Sequence, residues 1–456
     1  MRKILIPIFS MLSLLVSGCH LAQHYKKSDT ESLSNITSSE TKSNSETSDT
    51  SSVSEVISSE NISSEPEHSS SSESSIEESS SVEERKYKTI NAYQNPLKFY
   101  KQNGEQYNLL ASDPDVIKCE EDGYFYLYPT GGINVYDLSD TYYLDYGPIF
   151  RSKDLINWTY VGSVFRNQEQ YTEWGTSGAG VWAPSVLKVG DTYNYYYSLS
   201  TLNDSNPGIG VATSPTPYGP WTHYGKLFDS VNTGVENSID PQAIYYEDEL
   251  YVVWGSFKGI ACIQLYDDGT ETYYPEVDGH IDGVRYLIPD NSEGRSVGEN
   301  LDYGYEGSYI IKRNGYYYYT GSQGVFLNES NPSATSYRVK AGKSSSFFGF
   351  ADGNSYVNKN SKSLEDRAGG CGELVIHTGN NIAGPGHHTF VEDFGGNWWM
   401  IYHGVDYTNP DPEVCKTRTL FMDKVLWDEQ GYPYIDNYVP TVRVDQYGPT
   451  VVDFDN

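Results

Sequence analysis

Cysteine is scarce: five residues in 456, too few to staple a chain of this size with disulfides. Positive charge is scarcer still in relative terms, with 31 Lys plus Arg against 62 Asp plus Glu and a formal charge of −31. That balance excludes the clustered cationic surface that nucleic acid requires. No apolar run reaches the roughly 20 residues of a membrane-spanning helix, and no long stretch carries helical periodicity. What is abundant is tyrosine and glycine, 42 of each, the composition of a turn-rich, all-β protein.

Two N-terminal segments differ from the rest. Arg2 and Lys3 precede an apolar stretch, Ile4 to Val16, in the order of a secretion signal. The segment ends in Val16-Ser17-Gly18-Cys19, which resembles the lipobox of bacterial lipoproteins. The resemblance implies a signal peptide over residues 1–19, lipid on Cys19 and a place at the outer face of the bacterial cytoplasmic membrane; a plain signal peptide is the alternative. From Ser28 to Glu84, 24 of 57 residues are serine and none is aromatic. Such a segment buries too little apolar surface to offset its ordering entropy. Residues 20–86 are therefore expected to form a disordered linker, with an end-to-end distance of roughly 40–45 Å.

From residue 87 to 456 one pattern recurs: a small or polar residue, two aliphatic positions, a polar turn, then an aromatic-dense run. Copies begin at Asp113-Pro114, Ala183-Pro184, Asp240-Pro241, Glu306-Gly307 and His387-His388, separated by 70, 57, 66 and 81 residues. Each reads as a strand, a tight turn and a strand, and the spacing suits a four-stranded sheet. Five such sheets arranged radially make a five-bladed β-propeller, with a β-sandwich as the alternative. In a propeller the first strand of each blade lies nearest the axis. Asp113, Asp240, Glu306 and His387, taken as equivalent positions, would then converge there. Converging buried charge is costly for structure alone, so these positions mark a candidate site.

The same residues resemble glycoside hydrolase family 43. The likeness rests on Asp113-Pro114, Trp182-Ala183-Pro184, Ser238-Ile239-Asp240-Pro241, Glu306 ahead of Tyr309-Ile310, and Gly384-Pro385-Gly386-His387. Within that family the wording of Asn194 to Thr201, Gly208-Ile209-Gly210 and Trp254-Gly255-Ser256-Phe257 is nearest to endo-1,5-α-L-arabinanases. The resemblance implies an inverting glycosidase with Asp113 as general base, Glu306 as general acid and Asp240 as the carboxylate that orients the acid and keeps it protonated. It further implies Trp182 as a sugar-stacking platform, Arg418 as a sugar contact and His387 as the contact of a hydrated calcium ion. Chemistry supports the pairing independently, since inversion requires one carboxylate to activate water and one carboxyl to protonate the leaving oxygen.

The expected partner is plant cell-wall polysaccharide, arabinan or arabinoxylan, met by a tethered monomer. An exo-acting α-L-arabinofuranosidase or β-xylosidase is the alternative within the family, and a non-catalytic glycan-binding propeller the alternative outside it. Cys119, Cys262, Cys371 and Cys415 show no metal-binding spacing and are expected to be unpaired.

Overall fold

The computed structural model describes residues 85–165, 174–290, 303–366 and 372–455. The signal sequence, Cys19, the linker up to residue 84 and Cys371 lie outside the described residues. Five antiparallel sheets succeed one another along the chain as the blades of a propeller. Blade 1 is built on Asp115–Lys118, Phe125–Tyr128, Pro148–Ser152 and Asn157–Ser163. Blade 2 comprises Gly180–Val189, Thr192–Ser200, Gly208–Ser214 and Thr222–Asp229, and blade 3 Gln242–Tyr246, Glu249–Trp254, Ile260–Gln264 and Arg285–Ile288. Blade 4 comprises Glu306–Arg313, Tyr316–Gln323, Arg338–Ser344 and Glu373–Ile376; blade 5 comprises Ile382–Glu392, Trp398–Asp406 and Thr419–Lys424. Among the described residues the one α-helix is the single turn Ser230–Thr233, and no helix is long and apolar enough to cross a membrane.

Blade 5 has three strands, and the chain ahead of blade 1 supplies part of a fourth edge. The Leu97 N–H donates to the Leu420 carbonyl (2.9 Å), and the Asn95 amide donates to and accepts from the Met422 backbone (2.8 Å each). The chain then runs into Lys98–Tyr100, parallel to Asn157–Ser163 on the outside of blade 1. Tyr87–Thr89 pairs in turn with Thr450–Val452, so the two ends of the propeller are clasped together.

Packing follows the aromatic-dense runs. Five buried apolar clusters fill the five gaps between neighbouring blades. Trp158, Trp254 and Trp399 are fully buried, together with tyrosines that include Tyr195, Tyr196, Tyr197, Tyr318 and Tyr319. Large flat rings bury much area at low entropic cost, which explains why tyrosine is used so heavily. Cys119, Cys262 and Cys415 are unpaired.

At the axis, every first strand carries a left-handed residue within it or just ahead of it: φ is 51° at Asp113, 39° at Ala183, 62° at Asp240, 55° at Gly307 and 43° at His387. Two residues further on, Asp115, Ser185, Gln242, Tyr309 and Thr389 occupy matching registers against the second strands. The repeat-equivalent of Asp113 in blade 4 is therefore Gly307. Glu306 was expected at that position, but it stands one residue earlier, in the place held by Ser112, Trp182, Ile239 and Gly386 in the other blades.

Left-handed backbone costs about 1–2 kcal/mol per non-glycine residue, and contacts between blades offset it. In four blades the N–H of the left-handed residue meets a side chain from the second strand of the preceding blade or, for Thr130, two residues beyond that strand. Ala183 donates to Thr130 Oγ1 (2.8 Å), Asp240 to Ser198 Oγ (2.9 Å), His387 to Ser322 Oγ (2.8 Å), and Asp113 faces His403 Nδ1 (3.3 Å). A second ring runs through the residues two positions on. Val186 N–H donates to Asp115 Oδ2 (2.6 Å), Ala243 N–H to Ser185 Oγ (3.1 Å) and Ile310 N–H to Gln242 Oε1 (2.7 Å). Tyr309 Oη then donates to the Phe390 carbonyl (3.0 Å), and Thr389 Oγ1 closes the circle on Asp115 Oδ1 (2.8 Å).

Asp115 thus joins blade 1 to blades 2 and 5, and replacing it leaves the buried Val186 N–H unpaired. Asp115→Ala is expected to cost about 2–4 kcal/mol, read by thermal and denaturant unfolding, with Asp115→Asn costing less because an acceptor oxygen remains. An alanine variant as stable as the parent would remove the ring from the account of stability.

Candidate active site

The left-handed turns aim Asp113 and Asp240 at the mouth of the axis, and the residue before the blade 4 turn adds Glu306. All three are buried, yet their surroundings differ. Asp113 Oδ1 lies 3.1 Å from Arg418 Nη1, 3.1 Å from His403 Nδ1 and 3.3 Å from His387 Nδ1. Its Oδ2 accepts from Thr130 Oγ1 (2.7 Å) and Ser112 Oγ (3.0 Å). Burial alone would raise the pKa of Asp113, but the Arg418 guanidinium, His387 and His403 outweigh it and hold the carboxyl well below the usual range. Burial lowers both imidazoles, His403 to about 4.

Among the described residues Glu306 has no cationic contact within salt-bridge distance. Its Oε2 accepts from Ser256 Oγ (2.8 Å) and its Oε1 from Tyr337 Oη (2.5 Å). Burial pushes its pKa up to about 7, against these two hydroxyls and with help from the negative charge of Asp113. Asp240 accepts the Gly307 N–H on Oδ2 (3.2 Å). Its pKa is raised well above normal, first by burial and then by the charges of Glu306 and Asp113. One carboxylate at this mouth is therefore held ionised, while a neighbouring carboxyl pair retains a proton towards neutral pH.

Blade 3 departs from the capping pattern, and the departure creates the pair. The position equivalent to Thr130, Ser198, Ser322 and His403 is Gly255 by strand register, where a Cβ would collide with the Gly259 carbonyl. With no capping side chain, the Gly307 N–H is left to the Asp240 carboxylate. Ser256, one residue on, turns to Glu306 instead. Gly307 must itself be small, since a Cβ would come within 2.9 Å of His387 Cγ.

The remaining expected residues fall around this mouth. Arg418 is partly buried against Asp113, with its guanidinium 5.1 Å from the centre of the Phe326 ring. Trp182 is half-buried within Gly180–Val189, in the place that Glu306 holds in blade 4. His387 lines an axial cavity together with Asp115, Asp240, Gln242 and His388. Sequence reasoning passed over His403, Tyr337 and Ser256. His403 had a usable signal, since it sits in the register of Ser198 and Ser322, whereas Tyr337 is one tyrosine among 42 in the chain just before Arg338–Ser344.

The family model for glycosyl hydrolases family 43 matches residues 107–433. The chain belongs to that family. This family 43 protein is accordingly a glycosidase. It is 30% identical to the arabinan endo-1,5-α-L-arabinosidase C of Emericella nidulans over 335 residues, which cover 71% of this chain and 91% of the relative. It is 28% identical to the arabinan endo-1,5-α-L-arabinosidase A of Aspergillus niger over 301 residues, 65% of this chain and 82% of that one. Among solved structures, an exo-1,5-α-L-arabinanase from a bovine ruminal metagenomic library matches with a TM-score of 0.56 at 25% identity, covering 72% of this chain and 96% of the other. A Cellvibrio cellulosa α-L-arabinanase in complex with arabinohexaose shares the fold, with a TM-score of 0.56 at 22% identity and coverage of 74% and 99%.

Because Arg418 is the cation that holds Asp113 down, Arg418→Met in this family 43 enzyme is expected to raise the pKa of Asp113. Carbon-13 NMR titration of labelled aspartate side chains reads the change. An unmoved titration would assign the stabilisation to the two histidines alone.

Proposed function

We propose that this protein hydrolyses the α-1,5 bonds of plant cell-wall arabinan from within the chain, with inversion at the anomeric carbon. The observation that carries the reading is the opposed electrostatics of the mouth: Asp113 held ionised by Arg418, Glu306 held protonated by burial beside Asp240. Both similar relatives are named as arabinan endo-1,5-α-L-arabinosidases, which supports the substrate and the internal mode.

In this reading Asp113 takes a proton from a water as its oxygen attacks the anomeric carbon. Glu306 gives its proton to the glycosidic oxygen as that bond breaks from the opposite face. Asp240 acts on Glu306 through charge and through the Gly307 N–H that it anchors. Trp182 offers a ring face to a sugar, and Arg418 both holds Asp113 ionised and contacts substrate.

Calcium suits this donor set in hydrated form alone. The ion prefers six to eight oxygens, and among the described residues no group of three or more His, Cys, Asp or Glu side chains forms a cage. His387 would be its protein contact, water would supply the other ligands, and the ion would add positive charge at the mouth. No step above depends on it.

The protein is read as a tethered monomer, and the N-terminal sequence supports the tether: lipid on Cys19 and the 20–86 linker holding the chain at the outer face of the cytoplasmic membrane. Mass analysis of the mature N-terminus should find a diacylglyceryl-modified Cys19, and a soluble form starting beyond His20 would contradict the anchor.

Digestion of debranched arabinan tests the central reading: a ladder of oligosaccharides is expected from internal cleavage. Release of one small product from the chain end would favour the exo mode, to which the similarity with the ruminal exo-1,5-α-L-arabinanase lends weight. Asp113→Ala and Glu306→Ala should each lower kcat/KM by at least about 10² without unfolding the propeller. Activity within threefold of the parent would remove that residue from the mechanism.

A further inference from the structure

Tyr337 stands between the two carboxyls that do the chemistry. It is fully buried, and its hydroxyl lies 2.5 Å from Glu306 Oε1. Its ring stacks flat on the His403 imidazole, at 4° between planes and 5.6 Å between centres. His403 Nδ1 is in turn 3.1 Å from Asp113 Oδ1. Phe326 packs edge-on against Tyr337 (6.4 Å between centres) and lies under the Arg418 guanidinium. One rigid ring therefore touches the acid directly and reaches the base through a stacked imidazole.

The surrounding sequence is shaped to admit that ring. Gly386 occupies the position that is Glu306 in blade 4 and Trp182 in blade 2, and a Cβ there would come within 2.3 Å of Tyr337 Cδ1. The glycine in Gly384-Pro385-Gly386-His387 is thereby explained by close approach, since its φ is not in the left-handed region. Without the glycine, blade 5 would push Tyr337 away from Glu306.

We propose that Tyr337 is a positioning residue for the general acid, holding the Glu306 carboxyl by a hydrogen bond while its stack on His403 fixes that carboxyl relative to Asp113. The assignment rests on the acid role of Glu306. With Tyr337 Oη on one oxygen and Ser256 Oγ on the other, Glu306 is fixed in orientation at both oxygens. Both hydroxyls donate, and donors favour the carboxylate, so Tyr337 also keeps the pKa of Glu306 from rising further. The other charged or titratable groups that face Glu306 are Asp113 and Arg418, whose charges act on it, and Asp240 and Tyr319, which its own charge raises.

Tyr337→Phe keeps the ring and the stack and removes the hydrogen bond. The expected result is a fall in kcat on arabinan of about ten- to a hundredfold, with KM within twofold. The alkaline limb of kcat/KM moves to higher pH, because losing a donor to the carboxylate raises the pKa of Glu306. On an aryl arabino-oligoside with a good leaving group, which needs little protonation, the variant should stay within about threefold of the parent. Gly386→Ala, which displaces the ring and leaves the hydroxyl in the sequence, should move the alkaline limb the same way. An equal loss on both substrates with an unmoved limb in Tyr337→Phe overturns the assignment. A parent enzyme inactive on both substrates overturns the arabinan reading beneath it.

Discussion

The propeller depends on side chains at the axis completing the hydrogen bonds of the neighbouring blade. Five first strands turn into the axis through left-handed residues, and such turns persist only where the surroundings over-determine them. Thr130, Ser198, Ser322 and His403 fix four of these turns. Asp115, Ser185, Gln242, Tyr309 and Thr389 link blade to blade around the circle. The same turns that carry the strain aim the side chains of Asp113, Asp240 and His387 at one another, so the fold and the site share one device.

The site arises where that device is broken. Gly255 omits one capping side chain, and its absence hands the Gly307 N–H to Asp240 and frees Ser256 for Glu306. The consequence is electrostatic. At one side of the mouth Arg418 is within hydrogen-bond reach of a carboxylate; at the other, two carboxyls share a buried setting in which the described hydrogen-bond donors are neutral. Environments that drive neighbouring carboxyls apart in pKa are how one site supplies a base and an acid at the same pH.

Much of this was legible in the sequence because repetition amplifies weak signals. Asp113-Pro114, Ala183-Pro184 and Asp240-Pro241 are each unremarkable dipeptides, yet in order and with aromatic hairpins behind them they fixed five blades. The alignment slipped by one residue in blade 4. Glu306-Gly307 offers two polar-turn candidates, and which one takes the left-handed φ is decided by the register of Tyr309 against Thr320, which sequence does not display. Arg418 was legible from the family resemblance, but its partner Asp113 is 305 residues away in the chain. Tyr337 gave no signal: its role comes from ring stacking and from a glycine in another blade, both products of tertiary packing.

The central claim is that a proton stays on the Glu306 and Asp240 pair while Asp113 is ionised. Infrared pH-difference spectroscopy of the carboxylic C=O stretch measures it directly in the resting enzyme. The account predicts a protonated carboxyl band that survives to about pH 7, and that changes in Glu306→Gln and persists in Asp113→Asn. Complete ionisation of all three carboxyls by about pH 5, near the ordinary carboxylate range, would contradict it.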